Sequence, residues 1–182
     1  MLRRSVVLAA LGAWPATVWA QTGQTALPSA PAAPGIRTIE QSEIQEYEAA
    51  NALEQAFISA TTVPGMRPIF RRYLLQTHVV LPLTTSAQDS PVRQARVPIP
   101  PDASGAPRYF TGRAIFTSLA RANTVFGEDT PHIVINGRAA LSRMRQTNVI
   151  LNPGLAPMLT LEPSDIAVYL DTQGDASAGP TQ

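Results

Sequence analysis

Residues that could do chemistry are few in this chain and widely separated. Ser118 and His132 are the hydroxyl and imidazole that could form a nucleophile–base pair, with His132 taking the serine proton. A hydrolase built on them is therefore one alternative to weigh. No G-x-S-x-G elbow surrounds Ser118, Ser142 or Ser164. His78 and His132 each lack the i+4 histidine or nearby carboxylate pair that a metal ion wants. Glu128 and Asp129 are adjacent on a helix end, so they point apart and cannot flank a glycosidic bond as a pair. There is no Gly-rich phosphate loop. With no Cys, thiol catalysis, thiolate metal sites and disulfides are all excluded. The expectation is a non-catalytic protein with no metal and no cofactor.

Binding chemistry has better candidates. In QTNVILNPG (Gln146 to Gly154), Val149, Ile150 and Leu151 are apolar on both faces, as in a central strand. Asn152, Pro153 and Gly154 then supply turn chemistry: a side chain that bonds its own backbone, a fixed φ and a positive φ. A turn is the simpler reading; a binding loop at a strand end is the sharper one. Phe116-Thr117-Ser118 poses the same choice, between a capping hydroxyl and a helix N-terminus that receives a carboxylate or phosphate. If both strand ends share an edge, Thr117, Ser118, Asn152, Pro153 and Gly154 would join Asn136, Gly137 and Arg138 in one concave patch. That patch is the candidate binding site, and a small-molecule binder using it is a second alternative. Arg67, Arg71 and Arg72 read as a solvated helix face more readily than as an anion site.

The elements that must position these residues follow from periodicity. Leu53, Ala56, Phe57 and Ala60 have the spacing of a buried helical stripe, and Asn51 with Glu54 resembles a capping box. The acid-rich stretch before it, from Ile39, reads as a looser helical extension. Val63-Pro64-Gly65 breaks the chain. Arg67 to Gln76 is a second helix, with Met66, Ile69, Phe70, Tyr73 and Leu74 on one face. Strands are expected at 78–83, 92–99 (an edge, from Pro98), 109–116, 132–135 and 148–151. Helices are expected at 119–126, 138–146 and from Pro163 to Leu170. The fold class is therefore α+β: a single mixed β-sheet with helices packed against it, two N-terminal helices preceding the sheet.

The ends of the chain differ in character. Arg3 and Arg4, the apolar run Val6 to Trp14, Pro15 and then Val18-Trp19-Ala20 make a signal peptide, residues 1–20, cleaved near Ala20. The run is too short to span a bilayer, so no stable membrane insertion is expected after cleavage. The Arg pair leaves the twin-arginine route open beside the general one. Localisation is expected to be periplasmic or secreted. Residues 21–38 are a Pro/Ala-rich linker, 39–171 the folded domain, and 172–182 a polar tail. All fourteen basic residues are Arg, and without residues 1–20 twelve face thirteen acids. No basic field exists to recruit nucleic acid.

Taken together, NALEQAFISA (Asn51 to Ala60), AIFTSLARANTVFGED (Ala114 to Asp129) and NVILNPG (Asn148 to Gly154) resemble the SseB N-terminal domain family. The R-P-x-F-x-R-x-L pattern at Arg67 to Leu74, the Gly137-Arg138 step and L-x-P-x-D-I at Leu161 to Ile166 fall in the family's order. The resemblance covers roughly Glu48 to Asp171. Members are usually intracellular and often carry a second domain; here an export signal is expected before the domain and no second domain after it. The closing helix starts at Glu162-Pro163, where the family more often has Thr or Ser. The resemblance implies no catalytic residues. It fits a module that binds another protein, in a secretion or envelope setting.

Overall fold

The computed structural model describes residues 35–171 apart from 88, 102 and 104. The expected signal peptide, most of the expected linker and the expected polar tail lie outside the described residues. The elements in order are β1 (Ile36–Thr38), β2 (Gln45–Glu46), α1 (Ala52–Thr62), α2 (Arg67–Gln76), β3 (His78–Pro82), β4 (Gln94–Ile99) and β5 (Arg108–Ile115). Then follow α3 (Leu119–Phe126), β6 (His132–Asn136), α4 (Gly137–Arg143), β7 (Val149–Leu151), β8 (Leu155–Ala156), β9 (Leu159–Leu161) and α5 (Pro163–Asp171). The fold is α+β, around a mixed five-stranded sheet of order β1-β4-β5-β7-β9.

β5 and β7 run parallel, and β9 returns antiparallel along β7 as one edge of the sheet. Val149, Ile150 and Leu151 are all buried, because β7 is internal and covered on both faces. On one face Ile115, Val149, Leu151 and Leu161 pack with α1, α2, α4 and α5 through Leu53, Phe57, Phe70, Leu74, Leu141 and Ile166. On the other, Ala95, Val97, Ala114 and Ile150 pack with α3 through Ala122 and Val125, and with Ile39, Ile44 and Tyr47.

Several boundaries move from the sequence reading. Ile36–Thr38 is not linker: it pairs parallel with β4 as the other sheet edge. The sheet therefore begins before the helices rather than after them. The stretch before α1 is a strap rather than a helical extension. It makes a 3-10 turn at Gln41–Glu43 and a short parallel pairing of β2 with β8. Its few apolar residues, Ile39, Ile44 and Tyr47, anchor it by tertiary contact, with no 3.6-residue period to carry a helix. β4 is internal, yet Pro98 is still consistent with its rule. β1 pairs with residues 94–96 and its last bond runs from the Ile39 N–H to the Arg96 carbonyl, so the ladder stops before Pro98, which has no N–H to extend it.

Where one sheet was expected, β3 and β6 form their own antiparallel ladder, joined to the main sheet by the Val80–Phe116 bridge. On α2 the buried residues are Phe70, Leu74 and Leu75, while Tyr73 lies at the surface. The ring of Phe70 stacks on Phe57 at 4.7 Å between centroids, locking α1 to α2.

Candidate functional site

The strand ends of β5 and β7 do lie side by side, but what they form is closed. Asn152 takes a left-handed conformation (φ 52°) immediately after β7 and is fully buried. Its Oδ1 accepts from the Thr117 N–H at 3.0 Å. Its Nδ2 donates to the Thr117 hydroxyl at 3.1 Å and to the Tyr47 hydroxyl at 2.9 Å. Thr117 passes its own hydroxyl proton on, to Glu54 Oε1 at 2.8 Å. Pro153 and Gly154 are buried under the strap, which bonds through the Gln45 N–H to the Gly154 carbonyl. Gly154 has φ +78°, and a Cβ there would sit 3.2 Å from Ile39 Cδ1. QTNVILNPG is thus strand β7 followed by a turn at Asn152-Pro153-Gly154, sealed by residues 39–47.

Glu54 is the hub. It caps poorly in the expected sense: Asn51 Oδ1 does accept from the Glu54 N–H, but the Glu54 carboxylate accepts from Ala50 N–H rather than closing a box with Asn51. The carboxylate also accepts from Arg121 Nε at 3.2 Å and Nη2 at 3.0 Å, and from the Ser118 hydroxyl at 3.3 Å. Arg121 lies over the Tyr47 ring at 4.2 Å and donates to the Glu48 carbonyl. Burial by itself raises the carboxyl pKa. The hydrogen bonds from Arg121, Ala50 and Thr117 outweigh it and hold Glu54 below its ordinary value. Burial also pushes the Tyr47 phenol up to about 12, against the Asn152 hydrogen bond.

Ser118 caps α3 by accepting from the Arg121 N–H. The helix N-terminus that the sequence offers to an incoming carboxylate thus already has one, Glu54 of the same chain. The cavity beside Gly154 holds about 120 Å³, below the roughly 300 Å³ at which small-molecule sites begin.

Asn136, Gly137 and Arg138 do not extend this cluster; their bonds go to other elements. Asn136 caps α4 by accepting from the Arg138 N–H and donates to the Gln76 carbonyl. Gly137 donates to the Thr77 carbonyl, and its α-carbon is so close to α2 that a Cβ would fall 1.8 Å from the Leu74 carbonyl oxygen. Arg138 donates to the Leu170 carbonyl and Arg71 to those of Val168 and Tyr169, so two arginines hold the C-terminal end of α5. Arg71 is therefore a helix clamp, which leaves Arg67 and Arg72 of the expected solvated face. The hydrolase alternative needs Ser118 and His132 together, yet Ser118 bonds Glu54 and His132 Nδ1 pairs with the Thr130 carbonyl.

An accessible groove lies elsewhere. Along β9, an open groove of about 450 Å³ runs between that strand, α1, α2 and α5. Phe57, Phe70, Leu159 and Tyr169 line it with Arg67 and Asp165, and Val168 beside them is 60% exposed. The sequence reading missed it. The one signal was the alternation in Leu159-Thr160-Leu161, which was too short to stand out. Among the described residues there is no cluster of three metal-binding side chains, and no helix is long and apolar enough to cross a membrane.

The family model described as the SseB protein N-terminal domain matches residues 53–168. No curated protein and no solved structure matches the chain.

Proposed function

The chain belongs to the SseB protein N-terminal domain family, and from that premise we propose that it is an exported, non-catalytic module that works by binding another protein. The observation that carries this reading is the groove along β9. It is open, its floor is apolar, and it sits at a sheet edge, where proteins accept partners. At the strand ends, Thr117 and Asn152 are spent on each other, and Glu54 on Thr117 and Arg121, inside the fold. The binding surface is accordingly the β9 groove and not the strand-end patch.

Export rests on residues 1–20, whose charged start, apolar run and small or permitted residues over Val18-Trp19-Ala20 fit what signal peptidase reads. The working compartment is then periplasmic or extracellular.

The test is affinity purification of the tagged, processed protein from its own host, comparing wild type with Val168→Arg. Val168 is exposed, so the charge blocks the groove without entering the core. Loss of a stoichiometric partner in Val168→Arg, but not in Arg145→Glu, supports the reading. Equal recovery from both variants contradicts it.

A further inference from the structure

Main-chain pairing in the sheet defines which groups β9 leaves open. Arg113 N–H bonds the Asn148 carbonyl and Asn152 N–H bonds the Ile115 carbonyl, so between them the Ile150 main chain faces β5. Val149 and Leu151 must then face β9, where Leu161 and Leu159 answer them. By alternation, the N–H and C=O of Thr160 point away from β7, off the edge of the sheet. Leu161 and Leu159 belong to the helix-side core. The Thr160 side chain therefore lies on the opposite face.

A strand laid along this edge would pair one residue with Thr160. The residues on either side of that one would turn to the helix face, where the groove lies. Two large apolar side chains separated by one residue thus match the groove. The rim also carries one charge of each sign, Asp165 and Arg67. Asp165 is occupied, accepting from the Glu162 N–H, whereas Arg67 is exposed and takes no part in the two ion pairs among the described residues.

We propose that the β9 edge binds an extended segment of a partner protein by strand addition at Thr160, with apolar residues at alternate positions and a carboxylate facing Arg67. The proposal rests on the protein-binding reading above and specifies its partner.

The probe is a fluorescein-labelled Asp-Ser-Leu-Thr-Leu-Ser-Asp peptide, acetylated and amidated, whose Leu and Asp side chains share the helix face when Thr pairs with Thr160, titrated against the processed protein by anisotropy. Saturable binding is expected. N-methylation of the central Thr, which removes one main-chain donor and leaves the protein untouched, should weaken it at least tenfold. Arg67→Glu, or Lys in place of both Asp, should weaken it severalfold. Thr160→Pro should do the same as N-methylation, since proline is tolerated where an edge N–H points outward. No saturable binding, or binding indifferent to N-methylation, overturns the proposal. If the N-methylated peptide binds normally while Val168→Arg still loses its cellular partner, strand addition falls and the protein-binding reading stands. If N-methylation matters but Val168→Arg keeps its partner, the cellular role of the groove falls and strand addition stands.

Discussion

The main-chain N–H of Thr117, at the end of β5, donates to the side chain of Asn152, at the end of β7, at 3.0 Å, and both residues are buried. The two parallel strands are thus stitched together past the point where their ladder stops. The geometry requires a short amide side chain on a left-handed backbone, which Asn provides and most residues do not.

Replacing Asn152 should therefore unsettle the fold rather than a surface. Asn152→Ala leaves the Thr117 N–H buried without a partner and puts a Cβ-bearing residue lacking Asn's local hydrogen bonds at positive φ. The expected cost is about 3 kcal/mol, read by chemical denaturation. Asn152→Gly loses the same hydrogen bonds but not the backbone ease, and should be more stable than the Ala variant by about 0.5–1 kcal/mol. Equal stabilities would show that the left-handed backbone is not retained.

Glu54→Ala removes the shared acceptor of Arg121, Thr117, Ser118 and the Ala50 N–H. Breaking a buried pair in this way costs about 3–5 kcal/mol, enough to lower Tm by roughly 10 °C or more in a domain of this size. A shift of a degree or two would mean that Arg121 and the hydroxyls find other partners.

The same carboxylate makes stability depend on pH. Its folded pKa lies below the ordinary value of 4.5, so its contribution is complete above about pH 4.5 and is lost as pH falls through the folded value. The stability difference between wild type and Glu54→Gln should be constant near neutrality and shrink as the medium is acidified below pH 4.5. A difference that stays level down to pH 3 would contradict the assignment.

Gly137→Ala tests the close approach of α4 to α2. Its Cβ would meet the Leu74 carbonyl oxygen at 1.8 Å, so the helices must separate, at a cost of at least about 3 kcal/mol. Gly65→Ala, which meets nothing within 4 Å, is the control and should change stability little. Similar melting curves for the two variants would sink the packing argument.

How much of this was legible in the sequence depended on whether the signal was local. Leu53, Ala56, Phe57 and Ala60 carry their periodicity in themselves, and Ser118 and Pro163 mark helix starts where α3 and α5 begin. Asn152-Pro153-Gly154 was readable as a turn for the same reason. The strap was not, because Ile39, Ile44 and Tyr47 are buried by strands and a helix distant in the chain. Nor was the role of Glu54, whose partners Thr117 and Arg121 lie 63 and 67 residues further on. As a charged residue beside an N-cap it looked like surface, and only tertiary pairing makes its burial tolerable. The groove eluded the sequence on the same grounds. Phe57 and Phe70 read as core on their own helices, and only the placement of β9 and α5 leaves them at an opening.

The most direct test of the β9 groove as a binding surface is photo-crosslinking in the living host, with a benzophenone amino acid at Val168 and, separately, at Arg145. Both positions are exposed, so the probe itself should not disturb folding. The account predicts one discrete protein adduct from Val168, absent from Arg145 and abolished by Leu159→Arg in a protein that still melts cooperatively. No adduct from Val168, or the same adducts from both positions, would contradict it.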